Sequence, residues 1–139
     1  MIQLVKQPVN SRCCGQACVA MLAGVTLNES VRIFGKRSTT TTKDVVAALR
    51  KLGIQCGDRA VRLGKGVWKS GRCMVVVHAK GDKKYLHWVV YGDGRYYDPA
   101  AGIAPGLNEP HYDPHTDEYR EYEIERYETS YLPVYRGGA

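Results

Sequence analysis

The hydrophobic period changes once along this chain, and that change limits the folds open to it. Between Cys14 and Leu52 the apolar residues recur at helical spacing, whereas from Arg59 onward they alternate or run together as strand residues do. Helices first and strands afterwards predict an α+β fold, with helices packed on an antiparallel sheet. The first helix starts at Cys14 and ends near Gly24, with Asn10 and Ser11 as candidate capping residues. A short second helix carries Leu27, Val31 and Phe34, with Asn28 as its expected cap and Gly35 as its stop. A third opens on the capping box Thr41 to Asp44, aligns Val45, Val46, Ala48, Leu49 and Leu52, and stops at Gly53. The polar run S-T-T-T-T at 38–42 is the loop between them.

In the second half, Arg59 to Leu63 alternates, and Cys73 to Ala79 is the continuous apolar run of a central strand, with His78 as a core histidine. His87 opens H-W-V-V-Y, Gly92-Asp93-Gly94 is strong turn chemistry, and Arg95-Tyr96-Tyr97-Asp98 returns until Pro99 stops it, which predicts a β-hairpin. Residues 99–118, rich in Pro and Gly, read as an ordered loop beside that hairpin, and Tyr119 to Tyr127 as an amphipathic edge strand. With 139 residues at 44% hydrophobic, the expectation is one domain over 1–139 with a core at 3–100, followed by a loop and a C-terminal strand region.

The chemistry concentrates at Q-P-V-N-S-R-C-C-G-Q-A-C-V-A-M-L, residues 7–22, which sets a cysteine at the start of a helix. Unpaired N–H groups and the positive end of the helix dipole favour a thiolate there, and Arg12 adds a positive charge. The same amides can hold an oxyanion, with the Gln7 side chain as a second donor. A base is still needed. His87 is the candidate, and hairpin pairing can bring the Asp98 carboxylate back to orient it. Gln7, Cys14, His87 and Asp98 then form an acyl-transfer set. Cys18, about one turn on, should face the core.

These residues carry a resemblance. C-G-Q-A-C-V-A-M-L, preceded by Gln7 and followed by H-W-V-V and D-P, resembles the C39 and C39-like peptidases of the papain-like cysteine protease superfamily, over roughly residues 3 to 100. The resemblance implies a papain-like fold and a cysteine peptidase acting on a protein or peptide substrate without a cofactor. It assigns Cys14 as nucleophile, His87 as base, Asp98 as orienter and Gln7 as oxyanion donor. Gln7 stands one residue farther from Cys14 than the family spacing, so Cys13 has the better spacing and Cys14 the better flank. Cys13 also occupies a position that is commonly acidic in the family. An amidase, deamidase or acyltransferase acting on a protein side chain, and a catalytically silent peptide-binding module, fit the same residues.

Composition narrows the rest. A net charge of +6 comes from scattered Lys and Arg, with Lys80, Lys83 and Lys84 the nearest to a cluster, so a solvated basic face is expected and no specific nucleic-acid binding. Five cysteines, two of them adjacent, do not form a disulfide framework. No apolar run approaches the ~20 residues of a membrane span, and M-I-Q-L-V-K-Q-P lacks the apolar core of a signal peptide. A cytoplasmic protein without a membrane partner is expected; delivery to another cell without a signal peptide would leave the same sequence. Neither Cys13, Cys14 and Cys18 nor His111, Asp113 and His115 has zinc-ligand spacing, so no metal is expected. The tail R-G-G-A at 136–139 resembles the double-glycine site at which C39 peptidases cut leader peptides. Oligomeric state is left open.

Overall fold

Helix α1 (Cys14–Ala23) is made of small and apolar residues without Pro, Gln16 apart, and everything from Gly15 to Leu22 is buried. It stops where Gly24 turns left-handed at φ 70°. Neither Asn10 nor Ser11 caps it. The N-cap position is Cys13, which makes no side-chain capping bond, and Asn10 instead takes a left-handed conformation in the turn ahead of the helix. In α2 (Leu27–Phe34) the cap is Thr26 and not Asn28, because the extended Thr26 presents its hydroxyl to the Glu29 N–H. Both halves of the capping box at Thr41 and Asp44 are present at the start of α3 (Thr42–Lys51).

The computed structural model describes residues 2–62, 71–121 and 125–136, with 82–85 and 136 described by their backbone alone. Leu63 and the last three residues of the R-G-G-A tail lie outside them. The strands are β1 (Gln55–Cys56), β2 (Val61–Arg62), β3 (Arg72–Ala79), β4 (Asp82–Gly92), β5 (Arg95–Asp98), β6 (Gly102–Ala104), β7 (His111–Asp113), β8 (Glu118–Arg120) and β9 (Arg126–Arg136). They form one sheet in the order β1-β9-β3-β4-β5-β6-β7-β8, with β2 also on β9, and every pairing is antiparallel. The architecture is α+β, as the order of periods predicted. No single described helix is long and apolar enough to cross a bilayer.

Two core layers explain the continuous apolar run in β3. Met74 and Val76 face the helices together with Trp88, Val90, Tyr97, Leu132 and Val134, packing on Cys18, Val19, Leu22, Val45 and Leu49. The alternate residues Cys73, Val75 and Val77 meet Val89, Tyr91 and Tyr96 on the opposite face, where Leu107 covers them. A strand buried on both faces has no polar side to alternate with. His78 is not a core histidine. It sits half-buried at the end of β3 against the Tyr127 ring, its Nδ1–H donating to the Ala79 carbonyl at 3.0 Å.

The region after Pro99 departs most from expectation. Residues 99–118 are not a loop but hold β6, β7 and the first residue of β8, strands so short that their turn residues dominate the composition. The expected edge strand at 119–127 divides. Its beginning belongs to β8 at the sheet's edge, 122–124 lie outside the described residues, and Arg126 opens β9, an inner strand between β1 and β3. Leu132 and Val134 are the apolar residues that draw β9 inward.

Gly15 joins the fold to the cleft. A Cβ there would stand 2.1 Å from Thr40 Oγ1 and 3.2 Å from Thr40 Cβ, so the loop before α3 rests directly on the first turn of α1. Gly15→Ala is therefore expected to cost about 1–3 kcal/mol by overpacking. Adding Thr40→Ala should recover most of that loss, as read by the shift and return of the urea midpoint.

Candidate active site

A two-residue hairpin sets the site's register. Asp93 and Gly94 both have positive φ, 54° and 76°, the type I′ geometry, and β4 pairs β5 as Gly92↔Arg95, Tyr91↔Tyr96 and Val90↔Tyr97. Pro99 ends β5 just after Asp98, so the outer half of β4 passes beyond its partner. His87 and Trp88 lie on that uncovered stretch, and α1 docks there. The Cys18 thiol donates to the Trp88 carbonyl at 3.4 Å, and the Trp88 N–H points to the Cys14 sulfur.

Asp98 is completely buried. Its Oδ1 accepts from His87 Nε2–H at 2.8 Å and from the Ala100 N–H at 2.8 Å, while its Oδ2 accepts from Arg126 Nη1 at 2.6 Å. Burial opposes its ionisation, but the His87 and Arg126 charges and the Ala100 N–H outweigh burial and hold the carboxyl well below its usual range. With Nε2 engaged, the other His87 nitrogen is left for Cys14, and the imidazole and sulfur are hydrogen-bonded. Burial disfavours the imidazolium, yet Asp98 and the Cys14 sulfur push His87 up to about 9.

Burial likewise works against a Cys14 thiolate. The His87 hydrogen bond and charge, with the N–H groups of Trp88 and Gly15, overcome it and lower the thiol below its ordinary value. Arg12, expected to contribute, lies exposed at the rim; the effective cation is His87. The first turn of α1 has neither a side-chain cap nor an acidic residue, so no carboxylate competes there with a sulfur anion. Cys18 behaves oppositely. Full burial beside Cys14 and Asp98 pushes its thiol well up and keeps it neutral.

The two adjacent sulfurs face different surroundings. Cys13 is buried and donates to the Arg37 carbonyl at 3.0 Å, while Cys14 is half-buried and lines a cavity of about 560 Å³ with Gln7, Arg12, Thr39 to Thr42, Leu86, His87 and Trp88. Gln7 shares that cavity. Its backbone N–H bonds to the Pro99 carbonyl at 2.9 Å, and Nε2 donates one hydrogen to Ser11 O at 3.0 Å, which holds the amide in place with a second N–H to offer. Gln7 Oε1 is buried with no hydrogen-bond partner among the described residues.

Arg126 escaped sequence reading, since nothing in E-R-Y-E distinguishes it and its partner lies 28 residues away. The one available signal is that an aspartate buried behind a base needs a counter-charge. The wall formed by Thr39 to Thr42 was legible as a polar loop and a helix cap, not as the side of a cleft. His111, Asp113 and His115 serve separate ends: His111 Nδ1–H donates to Glu109 O at 2.8 Å, Asp113 pairs with Lys6 at 2.7 Å, and His115 Nε2–H donates to Leu4 O at 3.1 Å. Among the described residues no group of three or more His, Cys, Asp or Glu is placed to hold a metal ion.

No protein-family model matches the sequence, and no curated protein matches it significantly. Among solved structures, the chain is similar to the peptidase domain of Streptococcus ComA, a bifunctional ABC transporter involved in quorum sensing. The TM-score is 0.60 at 19% identity, over 96% of this chain and 98% of that one. At that identity the likeness shows the fold.

The electrostatics make the sulfur's behaviour testable. Alkylation of Cys14 by iodoacetamide should reach half its maximal rate at a pH below the ~8.5 of an ordinary thiol. Cys13→Ala should leave that profile unchanged. His87→Ala should move it upward, because the largest influences opposing burial are then gone and only the Trp88 and Gly15 N–H groups remain against it; loss of the fast reaction in Cys13→Ala instead would transfer the reactive thiol to Cys13.

Proposed function

We propose that this chain is a papain-like cysteine peptidase of C39-like type, with Cys14 as nucleophile, His87 as acid and base, Asp98 as its orienter and Gln7 as an oxyanion donor. The observation that carries the reading is the sulfur–imidazole–carboxylate chain at an uncapped helix N-terminus inside a cleft. The Cys14 thiolate attacks a peptide carbonyl, and the oxyanion is held by the Cys14 backbone N–H and the free N–H of Gln7. Each donor contributes about 3 kcal/mol to lowering the barrier. As the tetrahedral adduct collapses, His87 gives its proton to the leaving amine and a thioester remains. His87 then takes a proton from water, the hydroxide attacks the thioester, and the acid leaves as the thiolate is restored. No cofactor enters these steps.

A polypeptide substrate is favoured by the cleft's continuity. A second cavity of about 260 Å³, lined by Val77, Ala79, Ala100 and Arg126, shares Gln7, Leu86 and His87 with the first. Room on both sides of the imidazole suits a chain that crosses the nucleophile better than a small molecule bound on one side.

Cys14→Ala should abolish cleavage and shift the thermal midpoint little, since the half-buried sulfur fills little core. The alkaline limb of kcat should lie near the His87 value of about 9, because the leaving amine needs the imidazolium. Product mass separates the alternatives: a peptidase yields two fragments, and a deamidase leaves one chain a single mass unit heavier. Slow, model-like alkylation with no product from any protein substrate would leave only a binding module.

A further inference from the structure

The peptidase set does not use Arg126, yet Arg126 is the third charge in the same buried chain. Its Nη1 lies 2.6 Å from Asp98 Oδ2, its side chain is 19% exposed, and the carboxylate between it and His87 is 0% exposed. Its backbone is clamped by one residue: Asn108 Oδ1 accepts the Arg126 N–H at 2.8 Å, and Asn108 Nδ2 donates to the Arg126 carbonyl at 3.0 Å. Arg126 opens β9, Asp98 closes β5 and His87 stands on β4, so three strands meet at one carboxylate. Among the described residues, the titratable groups that face this carboxylate include Cys18 from α1, His87 from β4, His111 from β7 and Arg126 from β9, with Cys14 on the far side of His87.

A buried carboxylate paired with imidazole alone would give that imidazole its whole negative charge and hold the proton too firmly to release it to a leaving group. A guanidinium on the other oxygen takes part of that charge. It also fixes the carboxylate plane, because a planar donor constrains direction in a way a rotating ammonium does not. We propose that Arg126 is a positioning residue which acts through Asp98, aiming the carboxylate at His87 and offsetting its charge so that the His87 proton stays transferable. This role rests on the peptidase reading for its purpose, but the charge coupling exists without it.

The test follows the His87 ring by NMR across pH in the wild type, Arg126→Gln and Arg126→Lys. Arg126→Gln should raise the His87 midpoint by about one pH unit, as removal of a nearby cation does. Arg126→Lys, which keeps the charge, should return most of that shift. In an Asp98→Asn background Arg126→Gln should add nothing. A purely structural pair would lower the thermal midpoint and leave His87 unmoved. An unchanged or lowered His87 midpoint in Arg126→Gln, or a shift that persists without the Asp98 charge, overturns the proposal. Should Arg126→Gln not fold, Asn108→Ala releases the clamp and keeps the guanidinium; a smaller upward shift supports the coupling and no shift overturns it. The titration reads the imidazole and not turnover, so a protein that cleaves nothing but shows the shift loses the peptidase reading alone. A protein that cleaves without the shift loses this inference alone.

Discussion

A carboxylate removed entirely from water stays charged only if the surrounding groups replace its hydration, and Asp98 is held under that condition. Its replacements come from the chain ahead of it, behind it and far beyond it: His87, the Ala100 N–H and Arg126. Removal of one partner from such a group leaves an uncompensated buried charge, a loss of about 3–5 kcal/mol for a buried pair. The geometry at the imidazole is thereby tied to the sheet itself. His87 cannot drift from Asp98 without β4 leaving β5, and Asp98 cannot turn without β9 losing its first residue.

The sulfur's placement depends on an ending. Because proline halts β5 at the carboxylate, β4 continues for a few residues with β3 on one side only, and its N–H and C=O groups at Trp88 are taken up by Cys14 and Cys18 of α1. Helix and strand thus meet backbone to side chain and not only through apolar packing. Gly15 allows the Thr40 loop to lie on the same turn, which closes one wall of the cleft beside Cys14.

Much of this was legible in the residues because its determinants are local. The Thr41–Asp44 box, the glycines at 24 and 35, the Asp93-Gly94 turn and the Asp98-Pro99 stop each act within a few positions, and they fix the helices and the hairpin register. The misreadings have long-range or competing causes. Thr26 and Asn28 are both good caps, and only the backbone entering α2 chooses between them. Strands of three residues between prolines look like loop until neighbours supply their bonds. The stretch 119–127 looks like one edge strand from its charges, although its last two residues open β9, which Leu132 and Val134 bury between distant partners. Arg126 was invisible for the same reason: its meaning lies in the contact with Asp98. The choice between Cys13 and Cys14 turned on spacing and flank in the sequence, and in space on which sulfur meets a carbonyl and which an imidazole.

The position of β9 carries an implication for biogenesis. It enters the sheet between the first short strand and β3, so β1 and β2 have no strand to pair with until residues 126–136 have been synthesised. Contacts that span so much of a sequence make for slow folding, since the connecting chain loses its freedom before the pairing rewards it. On the ribosome, α1 and the β4–β5 hairpin emerge while the guanidinium that pairs with the buried Asp98 carboxylate has yet to be added. The Cys14 sulfur of a nascent chain accordingly has its neighbours on α1 and β4 before the charge behind His87 is complete, and that charge is balanced only when β9 has joined the sheet.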